Sequence, residues 1–234
     1  MTRLASALKL DFQLQLRYGF YYAAIFITLV WAVIIRLLPA WSMSAALPVV
    51  MFTDLATVGF FFIAGMILFE KGEQTLFAVV VTPLRFWEYL TSKLVTMTVL
   101  AIIISMVVVV VAVGLNFNPF LLVLGVSLLS LIALLIGFIA VSPFNSISSF
   151  IIPSQIFLIP LGLPLIYYLG WWPHPVFYLI PTQASLLLLK SAFESIATWQ
   201  LVYAVIYQIA WVVGLIWVAR WSFNRFVVEE QGSK

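Results

Sequence analysis

The stretch LVTMTVLAIIISMVVVVVAVGL, Leu94 to Leu115, runs for 22 residues without a charge. As a helix it is about 33 Å long, which matches the hydrocarbon thickness of a bilayer. No soluble core hides so much apolar surface, so lipid must solvate part of it. Composition extends this to the whole chain. Of 234 residues 65% are hydrophobic and 8% charged, with mean hydropathy +1.20, where soluble domains carry about 25% charge. Five further runs have the length to cross: about Gly19–Leu38, Leu47–Phe69, Pro119–Val141, Ser148–Leu169 and Leu201–Trp221. The expected fold is an all-α polytopic membrane protein with six transmembrane helices. Pro153, Pro160 and Pro164 should kink or break the fifth. NFNP (Asn116 to Pro119) and SPFNS (Ser142 to Ser146) read as turns between spans.

Positive charge sets orientation. Six spans put both termini on one side, together with Arg3, Lys9, Arg17, Lys71, Arg85, Lys93, Arg220, Arg225 and Lys234; the other side has only Arg36 and Lys190. Both termini are therefore expected in the cytoplasm of a prokaryotic cell with this chain in its inner membrane. Residues 1–18 have no signal-peptide pattern, because Arg3, Lys9, Asp11 and Arg17 interrupt them. Leu4, Leu8, Phe12 and Leu16 recur every fourth residue, so the segment is read as an N-terminal interfacial helix. The six-span domain covers 19–221, and 222–234 is a cytoplasmic tail. Residues 170–200 form the longest external connection. Its opening, WWPHPVFYLIP, suits an interfacial cap or re-entrant segment, and TQASLLLLKSAFESIATW is expected to lie as a short amphipathic helix on the outer surface, braced by Lys190 and Glu194 at i,i+4.

The segment at 69–93, between the second and third spans, is charged at its ends and apolar in its middle. Leu76 to Leu84 as a helix reaches only about 14 Å, half the hydrocarbon, so this loop does not cross. Pro83 stops a first short helix, and a second is expected to begin near Arg85–Glu88, ahead of the third span. A cytoplasmic helix with an apolar face and flanking charges either docks a partner or packs on its own subunit.

The order Glu70, Thr75-Leu76, Thr82-Pro83-Leu84, Glu88 and Lys93 resembles the signature loop of type-2 ABC transporter permeases. In that family a Thr-Leu is followed, eight residues after the Thr, by the Pro of a Thr-Pro-Leu or Ser-Pro-Leu, and Thr75 to Pro83 has that spacing. Six spans, an N-terminal interfacial helix and a Pro-Thr (Pro181-Thr182) before the last span fit as well. One position departs: the family's Gly before the Thr is Gln74 here, with Gly72 two residues earlier. The resemblance implies a coupling helix between spans two and three that docks in a groove of a separate ATPase subunit. Its docking face would be Leu76, Phe77, Val79 and Val80, while Glu70, Glu73, Arg85 and Glu88 would form a polar rim and brace the loop. It also implies two ATPase copies, which hold ATP and Mg, and a second permease subunit as homodimer or heterodimer. No cofactor is expected in this chain, and no nucleic-acid partner; the lipid bilayer is its medium.

The chain has no G-x-x-x-x-G-K-[ST] phosphate loop, so no ATP site of that kind and no enzyme activity of its own is expected. It has no cysteine, and its single histidine, His174, lies between two prolines in the external segment without a second metal ligand nearby. Asp54 is the sole acid well inside a span. It must face protein or a water-filled cavity. Two readings stand: a hairpin-bracing pair with Arg36, or a group that lines the substrate path and attracts cationic compounds. By resemblance, spans two and five line the pathway, which gives Thr53, Asp54, Thr57, Phe61, Gln155 and Phe157 as lining candidates. Ordinary helix packing is the competing reading for each.

Together these features imply the permease subunit of an ATP-driven exporter of a small amphipathic compound, most similar to small bacterial drug-export permeases, those for fluoroquinolones among them. An exporter of a lipid or glycan polymer, and a non-transporting scaffold or sensor subunit, are the alternatives.

Overall fold

The computed structural model describes residues 3–39, 42–75 and 85–228. Among them the chain is helical and contains no strand. The elements are α1 (Arg3–Arg17), α2 (Phe20–Leu37), α3 (Met43–Gly72), α4 (Phe86–Val113), α5 (Pro119–Val141), α6 (Ile147–Gly162), α7 (Pro164–Tyr168), α8 (Pro181–Ser191) and α9 (Thr198–Phe223). A 3₁₀ turn at Pro175–Leu179 precedes α8. Among the described residues six helices are long and apolar enough to cross a membrane: α2, α3, α4, α5, the joined α6–α7, and α9. This is a multi-pass membrane protein, and six crossings return it to the side on which it starts.

α5 is the centre of the bundle. Two-thirds of its most apolar stretch is buried, against 17% for α2 and α9, and it packs on α3, α4, α8 and α9. Its start is set locally: Asn118 Oδ1 accepts from the amides of Phe120 and Leu121, and Pro119 occupies the first turn, where no amide partner is lost. Within lipid there is little hydrophobic gain from helix association, so close contact between small residues matters more. Gly137 on α5 supplies it. A Cβ there would stand 2.6 Å from the Phe60 carbonyl oxygen and 2.7 Å from Ile63 Cγ2, both on α3. The aromatic core of this half, Phe60, Phe138, Phe150 and Phe223, closes around that approach.

The fifth crossing is interrupted, as its prolines require. α6 ends at Gly162 and α7 begins at Pro164, which has no amide to continue the ladder. The helix expected to begin near Arg85–Glu88 is the first part of α4, which runs unbroken from Phe86 into the third span, capped by Glu88, whose Oε2 accepts from the Arg85 amide at 2.8 Å. One expectation is corrected: the helix at Pro181–Ser191 does not lie on the surface. Thr182 to Leu189 are all buried, wedged among α3, α5 and α9. Its four consecutive leucines make it apolar all round, so an amphipathic surface position does not suit it. The Lys190–Glu194 pair does form, at 3.6 Å near the exposed end.

α1 packs along α4 with an unexpected face. Ala7, Asp11 and Gln15 are its buried stripe, while Leu10, Phe12 and Leu16 point outward. Gly19, at φ 81°, makes the turn into α2.

Candidate functional site

The two ends of the charged loop are fastened into the bundle by a buried ion cluster. Lys93, on the second turn of α4, is fully buried. Its Nζ donates to Asp11 Oδ1 of α1 at 2.8 Å and to Glu70 Oε1 in the last turn of α3. One cation between two carboxylates leaves two oxygens to satisfy. Tyr89 OH donates to Glu70 Oε2 at 2.6 Å, and Ser92 Oγ donates to Asp11 Oδ2. All four carboxylate oxygens thus have a donor, which offsets the several kcal/mol that each buried charge otherwise costs. The ammonium also sits 4.5 Å from the centre of the Tyr89 ring. One turn further along, Gln15 Nε2 donates to Thr96 Oγ1 at 2.7 Å.

A second tier lies nearer the solvent. Arg17 pairs with Glu73 Oε1 at 3.0 Å, and Tyr18 OH donates to Glu73 Oε2 at 3.0 Å. Burial, with the hydrogen bond to Glu73 next, pushes the Tyr18 phenol up to about 12, so it remains a donor at physiological pH. Lys71 Nζ donates to the carbonyls of Ser142 (2.6 Å) and Phe144 (2.8 Å), tying the end of α3 to the end of α5. Thr75 Oγ1 donates to the Glu70 carbonyl at 3.2 Å. Gln74 takes φ 59°, the left-handed conformation that a glycine adopts freely. The backbone here keeps the turn a glycine would make, although the side chain is glutamine.

The loop candidates therefore separate. Glu70 is an inward-facing brace rather than a rim residue; Glu73 holds α1, and Glu88 caps α4. Arg85 is exposed. Leu76, Phe77, Val79, Val80 and Pro83 lie outside the described residues. Asp11, Tyr89 and Ser92 escaped the sequence reading. The signal was the pair Asp11 and Gln15 at i, i+4, on a stripe with Ala7 that runs beside the leucine stripe.

The pathway candidates also divide. Thr53 and Thr57 are exposed on one stripe of α3, with Phe61 partly exposed further along it; Gln155 and Phe157 are exposed on α6. Asp54 faces elsewhere. Its Oδ1 accepts from the Trp31 indole of α2 at 2.9 Å, so the partner is Trp31 and not Arg36. Beside it is a cavity of about 30 Å³ between α3, α4 and α5, lined also by Val58, Phe62, Met97 and Ser130.

Residues 2–231 match the fluoroquinolones export permease protein family. The chain belongs to that family. Two fluoroquinolones export permease proteins of Mycobacterium tuberculosis, from strain CDC 1551 / Oshkosh and strain ATCC 25618 / H37Rv, are each 43% identical to it over 238 residues, covering 99% of this chain and 99% of their own. The chain is thus a small drug-export permease, and the ion cluster and the Asp54 cavity are features of an export permease's membrane helices.

Proposed function

We propose that this chain is the membrane half of an ATP-driven exporter that moves small amphipathic drugs, fluoroquinolones among them, out of the cell. The loop after α3 is its coupling element, received by a separate ATPase subunit. Two ATPase subunits, carrying ATP and Mg, work on a pair of permeases, and both termini lie in the cytoplasm. The observation that carries this reading is the Asp11–Lys93–Glu70 cluster. It joins the loop's entry helix, its exit helix and α1, so a push on the loop moves three helices together. A loop with no mechanical task needs no such fastening, since surface connections are tolerated with far weaker ties.

The test is co-expression with the ATPase subunit, co-purification, and measurement of drug-stimulated ATP hydrolysis. Replacing Phe77 and Val80 together by Asp is expected to abolish co-purification while the permease still inserts. An intact, drug-stimulated complex with that double variant would overturn the coupling assignment.

A further inference from the structure

Asp54 is an intramembrane carboxylate with no cationic partner among the described residues. It is the twelfth residue of α3, about 16 Å along that helix from Met43. An acid at such depth costs a few kcal/mol unless something neutralises or solvates it. Trp31 supplies one neutral donor to Oδ1; Oδ2 has no hydrogen-bond partner among the described residues. The adjoining cavity of about 30 Å³ holds a water-sized group and is far smaller than a whole drug. Ser130 of α5, 2% exposed, lines the same cavity, and its hydroxyl has no partner among the described residues. Buried hydroxyls without partners are uncommon. A free carboxylate oxygen and a free hydroxyl border one cavity, otherwise walled by apolar side chains such as Val58, Phe62, Met97 and Leu134. That set accepts hydrogen bonds from a small group bearing positive charge.

We propose that Asp54 and Ser130 form the counter-ion site for the protonated amine of the exported compound, so that the permease selects cationic and zwitterionic amphiphiles. The inference rests on the export reading above. Asp54 supplies the charge and one acceptor, Ser130 a second acceptor. Trp31 is a positioning residue that holds the carboxylate toward the cavity. The compound's fused aromatic ring system lies outside this small space.

The experiment compares efflux, in cells carrying the full transporter, of a fluoroquinolone with a free piperazine nitrogen and of its N-acetylated analogue. Wild type should export the free amine better. Asp54→Asn keeps the acceptor for Trp31 and removes the charge. It should lower export of the free amine by at least about tenfold and leave the acetylated compound within about twofold. Ser130→Ala should lower the free amine by roughly threefold. Trp31→Phe should preserve the preference for the free amine even where total export falls. Equal loss of both compounds in Asp54→Asn, or no loss of either, overturns the proposal, as does a Trp31→Phe profile identical to that of Asp54→Asn. If wild type exports neither compound, the export reading itself fails, and that outcome is distinct from the others.

Discussion

Among the described residues, acidic side chains enter the helix bundle in two places, fully buried in one and partly buried in the other, and are treated in opposite ways. At the base of the charged loop, Asp11 and Glu70 have every oxygen matched by Lys93, Tyr89 or Ser92. At Asp54 a single indole N–H is the one matched donor among the described residues, and a small cavity borders the carboxylate. Full satisfaction makes the first a fastening, whose parts are costly to separate. Partial satisfaction leaves the second open to a visiting group. The two share α3, so any movement levered at Glu70 has a rigid route to the helix that carries Asp54.

The largest effect is expected at Lys93. Lys93→Met removes the cation and leaves two carboxylates buried among apolar side chains, at a cost of about 3–5 kcal/mol. Thermal unfolding of the purified complex should show a large fall in midpoint or loss of folded protein. Adding Asp11→Asn and Glu70→Gln to Lys93→Met should recover much of it, because no uncompensated charge then remains. If Lys93→Met alone melts like wild type, the contrast with Asp54 collapses, and the cluster is not a fastening.

The route between the two regions is tested at Gly137. It lets α5 touch α3 at Phe60 and Ile63, between Asp54 and Glu70 in sequence. Gly137→Ala places a methyl 2.6 Å from a backbone oxygen that cannot swing away. The expected cost is about 1–3 kcal/mol, read from the unfolding midpoint, with α3 and α5 forced apart. Gly214→Ala on α9 is the matched control, because a Cβ there meets nothing within 4 Å. A Gly137→Ala variant as stable as that control would mean α3 and α5 yield easily, and the rigid link between the two acids would not hold.

The membrane helices were legible because lipid demands long apolar runs, and α5 has the bounds Pro119–Val141 that the sequence suggests. A helix start near Arg85–Glu88 was legible too, but its continuity with the third span was less so. A hydropathy window halts at Lys93, yet the helix runs through it from Phe86, with Lys93 neutralised by residues 23 and 82 positions away. Pairing over such distances leaves no local trace. Asp11 was hidden for the same reason, within a helix whose leucines drew attention to the neighbouring stripe. The buried position of α8 was visible in principle: Leu186 to Leu189 cover all sides of a helix, whereas a surface helix keeps one side polar. Asp54 stood out because acids are rare in spans, but Trp31 as its partner rests on how α2 and α3 are rotated, which a single sequence does not encode.

The smallest effect lies where the fastened end gives way to the loop. Gln74 follows the last turn of α3 with φ 59°, a conformation costly to a residue with a Cβ. The cluster just before it fixes Glu70 and Glu73, so the chain enters the loop in this conformation whatever residue stands there. Gln74→Gly removes a left-handed penalty of about 1–2 kcal/mol and returns part of it through the greater freedom of the unfolded chain. The net gain should be about 0.5–1 kcal/mol, seen as a small rise in unfolding midpoint with unchanged ATPase coupling. In the Lys93→Met background that gain should shrink, because the turn is then no longer imposed. Equal gains in both backgrounds would show that the cluster does not set the loop's entry, and its role would end at holding α1, α3 and α4 together.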